Sequence, residues 1–352
     1  MKILIVAGPF ISLREPYSGG TEAFIVEHAN ELVRLGHTVD IIAKDADEKN
    51  LFQIIEFKES PLSMKDDSFR ACSEELGQKH FQTLQFSTLD INCYDLIHYN
   101  SFIPEIYAVG TLFKIPGVLT LHLPPTEKFA LMYGFFIKHT QILPIAISKR
   151  MSREWKKVFE KDVEVILNGI PLNQWKLRER KSDGFFLWSG RIAEEKNVEA
   201  AVSLANYLQK PLKIVGPIFN KGYFEDHVKP HLNENIQYIS HVTQKQLNDL
   251  AAKASVYLAT ARWKEPFGLS TVEMLASGLP VIGFHTAIPS ELRRGNVSVA
   301  VNSADWRDLI KPLEFVKNSS SRDCRAFAES FDVKKTTAEY VKVYERITIK
   351  TK

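Results

Sequence analysis

Short apolar, β-branched runs alternate with longer segments of helical spacing along this chain, a pattern satisfied by parallel strands joined through crossover helices. The alternation occurs twice. In the first half the runs are Lys2–Gly8, Thr38–Lys44, Asp95–Asn100, Val118–His122, Pro144–Ser148 and Val163–Asn168. In the second they are Phe185–Gly190, Leu212–Gly216, Ile236–His241, Val256–Thr260 and Pro280–Phe284. Between runs, Gly20 to Leu35 carries apolar residues at Ala23, Val26, Ala29, Leu32 and Val33 and stops at Gly36, a C-cap residue. The stretch from Asn197 to Leu208 repeats the pattern in the second half, and Lys334 to Ile347 is helical to the end. At 352 residues the chain exceeds one ordinary core, so two doubly wound α/β domains are expected, with the hinge at 170–183.

Charge and cysteine usage exclude several classes. With 45 Lys and Arg against 42 Asp and Glu, the net charge of +3 gives no nucleic-acid footprint, so anion binding must come from local patches. Cys72, Cys93 and Cys324 are odd in number and widely spaced, fitting neither a disulfide framework nor a zinc site, and a reducing cytoplasm is the expected setting. The longest apolar stretch, Ala130 to Ile147, is broken by Lys138, His139, Thr140 and Gln141, so no spanning helix is expected. The basic run Lys149, Arg150, Arg153, Lys156, Lys157 and Lys161, with Trp155 and Phe159, reads as a solvated helix face. Its second reading is peripheral contact with anionic lipid at the inner face of a membrane.

Open α/β sheets bind ligands beyond the carboxyl ends of their strands, so the residues directly after each run are the candidates. After Val256–Thr260 comes Ala261-Arg262-Trp263-Lys264-Glu265-Pro266-Phe267-Gly268-Leu269-Ser270-Thr271-Val272-Glu273. A helix starting at Gly268 to Ser270 offers unpaired amides to an anion, and Glu273 and Glu265 offer acceptors to the hydroxyls of a ribose or sugar. After Phe185–Gly190, Arg191 and Lys196 flank the entry to the next helix, a pairing suited to a diphosphate. Ser18-Gly19-Gly20-Thr21 opens the first helix, and His122 ends the fourth run. Either glutamate alone is more often a solvated carboxylate; the strand, loop and helix context reverses those odds. Gly19 and Gly20 read nearly as well as a plain turn, and His122 as a packed histidine.

These stretches resemble the retaining GT-B glycosyltransferases of the group 1 class, glycosyltransferase family 4. The resemblance runs from Ser18-Gly19-Gly20-Thr21-Glu22 through Asn168-Gly169-Ile170 and Ser189-Gly190-Arg191 to Glu265-Pro266-Phe267-Gly268-Leu269, with Glu273 and then Ser277-Gly278-Leu279-Pro280. It implies two Rossmann-like domains facing across a donor/acceptor cleft. An acceptor-side domain spans 1–172, a nucleotide-sugar donor domain 173–330, and a terminal helix 331–352 packs back on the first. It implies that Arg191 and Lys196 bind the donor diphosphate, Glu273 the ribose, and Glu265 with the Phe267–Leu269 backbone the transferred sugar. Gly19, Gly20, Gly190, His241, Pro266 and Ser270 complete the donor set, and Gly20 and His122 close over it. His122, Arg191, Lys196 and Glu265 are the expected catalytic group. The implied reaction moves a hexose-type sugar from a UDP- or GDP-sugar to a glycan, lipid-linked or small-molecule hydroxyl, with retention and without a metal or other cofactor.

The chain departs from the family at Ser240, where a glycine is usual, and at His285-Thr286-Ala287, which replaces glycines before the Pro-x-Glu. The competing readings are a nucleotide-sugar epimerase of the same fold and a noncatalytic nucleotide-sugar-binding protein.

Overall fold

The computed structural model describes residues 1–58, 82–103, 106, 115–178, 184–316 and 318–349. Cys72 and hinge residues 179–183 lie outside the described residues. The chain forms two compact units, one of Met1–Arg14, Thr21–Ile166 and Thr336–Lys352, the other of Glu15–Gly20 and Leu167–Lys335.

The first unit holds β1 (Lys2–Leu13), β2 (Thr38–Ala46), β3 (Gln53–Glu56), β4 (Leu96–Tyr99), β5 (Gly117–Leu121), β6 (Ile142–Ala146) and β7 (Glu164–Val165). They form a parallel sheet in the order β3-β2-β1-β4-β5-β6-β7. Ile3, Leu4, Ile5 and Val6 are all fully buried, so both faces of the central strand are covered, as a parallel sheet requires. The helix Gly20–Arg34 follows β1 and ends as its glycine predicts, with the Gly36 amide donating to the Val33 carbonyl and the His37 amide to that of Leu32.

The second unit holds β8 (Phe186–Ser189), β9 (Leu212–Val215), β10 (Ile236–Ile239), β11 (Val256–Ala259), β12 (Val281–Phe284) and β13 (Ser298–Val301). These are again parallel, in the order β10-β9-β8-β11-β12-β13. The expected alternation is therefore a doubly wound α/β fold in each unit. The edge strands β3 and β13 were not expected. Only Glu164–Val165 of the expected Val163–Asn168 run pairs as strand.

The apolar stretch Ala130 to Ile147 divides into the helix Glu127–His139 and β6, with its polar break at the junction. No described helix is long and apolar enough to cross a membrane. In the helix Lys149–Phe159 the aromatic residues of the basic run turn inward: Trp155 and Phe159 are buried with Met151, and the Trp155 indole donates to the Leu123 carbonyl. The apolar half of the lipid-contact reading thus belongs to the core.

From Thr336 the C-terminal helix, Val333–Ile349, is part of the first unit, held there by a polar chain. Thr337 Oγ1 bonds His28 Nδ1 at 2.9 Å, and His28 Nε2 bonds the Tyr344 hydroxyl at 2.8 Å. That hydroxyl also meets His98 Nδ1 at 2.7 Å. His98 Nε2 reaches Thr120 Oγ1 at 2.7 Å, and Thr120 meets the Tyr340 hydroxyl at 2.9 Å. All six side chains are buried, so every polar atom in the chain depends on its neighbour for the bond that water would otherwise supply.

Burial lowers the His28 pKa to about 3 and that of His98 well below its ordinary value. The folded state needs these rings neutral, while the unfolded chain protonates them near pH 6.5. Their contribution is therefore complete above pH 6.5 and is lost as pH falls toward 3, by about 1.4 kcal/mol per pH unit for each ring. Urea unfolding measured between pH 7 and 5 should show this decline in the first unit. Tyr344→Phe, which strands one nitrogen on each of two rings, should cost about 2–3 kcal/mol in the same experiment at pH 7.5.

Candidate functional site

In the second unit the strand order reverses between β8 and β11, so the helices that follow them leave in opposite directions and a space opens beyond their carboxyl ends. Arg191 and Lys196 stand on the exit loop of β8, and Glu265 and Glu273 on the loop and helix that follow β11. The two loops are fastened together. The Arg262 and Trp263 amides donate to the Glu195 carbonyl at 2.9 and 3.3 Å. Asn197, buried and left-handed at φ 51°, donates from Nδ2 to the Thr260 carbonyl at 3.1 Å. Thr260 returns its hydroxyl to the Asn197 carbonyl at 2.8 Å while accepting from the Trp188 indole at 3.0 Å.

Lys196 and Glu265 form a half-buried ion pair across this seam. The Trp263 indole donates to the same Glu265 oxygen at 2.8 Å, and its ring lies 4.8 Å from the lysine nitrogen. Lys196 thus keeps its remaining ammonium hydrogens while its carboxylate partner is fixed from two sides. Arg191 packs its guanidinium over the Phe219 ring at 4.8 Å and lies 3.8 Å from Glu195. Trp263 was not singled out from the sequence; the signal available was its position two residues before Glu265.

The helix Leu269–Ala276 starts at Gly268, whose φ of 88° only glycine adopts readily, and among the described residues no side chain caps its first turn. The expected anion-binding helix start is therefore open. Pro266 and Phe267 are buried, and Phe267 sits edge-to-face on Phe331 at 5.9 Å, which leaves only its backbone for a ligand. Leu269 and Ser270 are half-buried. Glu273 is half-buried by area, yet its carboxyl lies deep enough that burial pushes its pKa up to about 7. It has no side-chain partner among the described residues.

Gly19 and Gly20 are exposed, and a methyl group on Gly20 would lie 2.9 Å from the Leu269 side chain, so the loop Glu15–Gly20 rests against the start of that helix. His241, expected in the donor set, donates from Nε2 to the Tyr17 carbonyl at 3.0 Å and so latches this loop. Gly190 follows β8 at φ 154°.

His122 stands in the first unit, at the carboxyl end of β5. It is buried, burial lowers its pKa to about 3, and Nε2 meets Asn100 Oδ1 at 2.8 Å. It is a neutral imidazole near pH 7, held by a side chain that the sequence did not single out. Among the described residues no group of three or more His, Cys, Asp and Glu side chains is arranged to hold a metal ion.

Residues 18–174 match the Glycosyltransferase Family 4 model, and residues 170–330 match the model for Glycosyl transferases group 1. An uncharacterized glycosyltransferase of Methanocaldococcus jannaschii is 24% identical over 295 residues, 72% of this chain and 73% of that protein. The GtfA subunit of the UDP-N-acetylglucosamine–peptide N-acetylglucosaminyltransferase of Streptococcus parasanguinis is 33% identical over 166 residues, 45% of this chain and 30% of its own length. Among solved structures, Anabaena HepE in complex with UDP-glucose superposes with a TM-score of 0.78 at 16% identity, over 98% of this chain and all of that one. Two consecutive family segments thus span residues 18–330 on two parallel α/β units, and the chain carries the sequence modules and the GT-B fold of the group 1 glycosyltransferases.

Proposed function

We propose that the chain transfers a hexose-type sugar from a nucleoside-diphosphate sugar, a UDP-sugar in first place, to an acceptor hydroxyl with retention of configuration and without a metal. The observation that carries this reading is the seam between β8 and β11. There Lys196, Arg191 and an uncapped helix start supply positive potential beside two carboxylates, Glu265 and Glu273. The UDP-sugars named with GtfA and HepE favour uridine as the base.

In the proposed step the acceptor hydroxyl attacks the anomeric carbon on the face from which the diphosphate departs. The bond from that carbon to the diphosphate oxygen breaks, and a diphosphate oxygen takes the acceptor proton. The products are the glycosylated acceptor and the nucleoside diphosphate. Arg191, Lys196 and the amides at Leu269 and Ser270 stabilise the charge that grows on the leaving group, the task a metal performs elsewhere. Glu273 accepts from the ribose hydroxyls, and Glu265 from the transferred sugar. Gly19, Gly20 and Gly190 let backbone approach the phosphates, and His122 offers a neutral acceptor. Residues 1–172 serve the acceptor, a glycan, lipid-linked or small-molecule hydroxyl, and residues 173–330 the donor. The unpaired thiols of Cys93 and Cys324 suit a cytoplasmic setting. Any association with anionic lipid rests on the exposed lysines of the helix Lys149–Phe159, since its aromatic residues are buried.

A thermal-shift screen against UDP, GDP, ADP and their sugar conjugates tests the donor reading, because a ligand that binds the native state raises the melting temperature. A UDP-specific rise is expected; no rise at millimolar concentration with any nucleotide removes the reading. Arg191→Ala should lower turnover by roughly 10²- to 10³-fold while leaving the fold intact, and wild-type turnover would remove its leaving-group role.

Glu273 gives a test in which binding and stability move oppositely. Its raised pKa means that the ionised carboxyl destabilises the unliganded fold above pH 7, and that this cost disappears as pH falls toward 4.5. Glu273→Gln should therefore stabilise the free protein at pH 8 by up to about 3 kcal/mol, with no gain at pH 4.5, and yet reduce the UDP-induced shift. A free protein destabilised by this change would show that the carboxylate has a structural partner instead.

A further inference from the structure

The geometry points to Asn100 as a positioning residue that holds His122 in the single tautomer protonated on Nε2, leaving Nδ1 as a hydrogen-bond acceptor for a ligand hydroxyl at the carboxyl end of β5. The inference rests on the donor reading above for the identity of the ligand, but not for the tautomer.

Asn100 and His122 follow neighbouring parallel strands, β4 and β5, in register His98 with Val118 and Tyr99 with Leu119, so both side chains emerge at the same end of the sheet. Asn100 is 1% exposed and its amide is tied to the Val6 carbonyl at 2.8 Å. Its Nδ2 donates to the His98 carbonyl at 3.4 Å. Turning the amide over would set Oδ1 against that carbonyl, two acceptors face to face, so the backbone of β4 decides which end of the amide meets His122. The end that does is Oδ1, at 2.8 Å from Nε2. A carbonyl oxygen only accepts, so Nε2 must carry the hydrogen. In a neutral ring Nδ1 then holds a lone pair.

The support under Asn100 is stiff. Ser101 Oγ accepts from the Ile103 amide at 3.0 Å, and the Tyr133 hydroxyl donates to the Ser101 carbonyl at 3.2 Å. Gly8, at φ 110°, leaves room for this loop: a methyl group there would sit 2.9 Å from Ser101 Oγ. Above the ring, Phe24 packs edge-on to His122 at 5.3 Å and Phe102 at 6.3 Å, fixing its plane. Nδ1 has no protein partner among the described residues and is not one of the buried polar atoms left without one, so it remains open to a ligand. A fixed acceptor suits a neutral sugar hydroxyl, which can donate to it without a change of charge.

Long-range ¹H–¹⁵N spectra of the full chain with ¹⁵N-labelled histidine report the tautomer directly. In the wild type the His122 Nδ1 resonance should have the unprotonated shift and Nε2 the protonated one. Asn100→Ala should release the ring into a mixture of both forms, and Asn100→Asp, which keeps an acceptor oxygen in place, should retain the hydrogen on Nε2. An Nδ1-protonated wild type, or an unchanged tautomer in a folded Asn100→Ala protein, overturns the lock. With UDP-glucose as probe, Asn100→Ala should lower kcat for donor hydrolysis about tenfold with KM within twofold. A shifted tautomer with unchanged kcat overturns the positioning role while leaving the Glu273 test of the donor site untouched. If the wild-type protein fails to hydrolyse UDP-glucose, the donor reading fails and the tautomer spectra still decide the lock.

Discussion

The reversal of strand order between β8 and β11 is the constraint on which the second unit's candidate site depends. Right-handed crossovers force the helix after β8 and the helix after β11 to depart on opposite sides of the sheet, so their entry loops cannot cover the strand ends between them. Loops left in this position carry unpaired backbone groups and need fastening. Asn197 and Thr260 provide it by exchanging hydrogen bonds across the gap, with the Trp188 indole holding the threonine from below. Lys196 is the residue immediately before Asn197 and shares its backbone turn. The ion pair with Glu265 is therefore aimed by a buried lock of neutral groups, and the loop needs no charge of its own to hold its shape.

That arrangement carries a thermodynamic cost at Glu273. A carboxyl placed one turn inside a helix and surrounded by protein, with no side-chain partner among the described residues to offset its lost hydration, is held toward its neutral form. A core selected for stability alone would fill the position with an apolar side chain or pair it. Its presence without a partner is understandable where a ligand completes the site, and the same logic applies to the uncapped start of the helix at Gly268.

The buried centre of each sheet was legible because strands covered on both faces must be apolar throughout, and Ile3 to Val6 and Val256 to Ala259 are. The edge strands were not. Gln53–Glu56 has an exposed polar residue at each end with two half-buried isoleucines between, and Ser298–Val301 is only partly covered, so neither shows the uninterrupted apolar run of a central strand. Candidate residues at strand exits could be read from chain order, since the sheet delivers consecutive loops to one edge. What joins them could not. Trp263 meets Lys196 and Glu265, Asn100 meets His122, and His28 meets Tyr344 only because distant segments are neighbours in space, and no periodicity records such pairs.

The two units treat charge differently, and the difference follows from what each encloses. In the first, His28, His98 and His122 are buried without a carboxylate among their hydrogen-bond partners in the described residues, so each is kept neutral chiefly by lost hydration, with neighbouring histidines adding to it at His28 and His98. Such groups can give and accept hydrogen bonds but cannot attract an ion. In the second, Arg191 and Lys196 remain partly open to solvent and keep the positive potential that a buried, uncompensated cation could not retain. A glycosyl donor has the same polarity built into it, a neutral sugar joined to an anionic diphosphate. In the proposed reading, cations beside an open helix start complement the diphosphate, whereas neutral imidazoles suit uncharged hydroxyls. Neither environment would serve in the other's role.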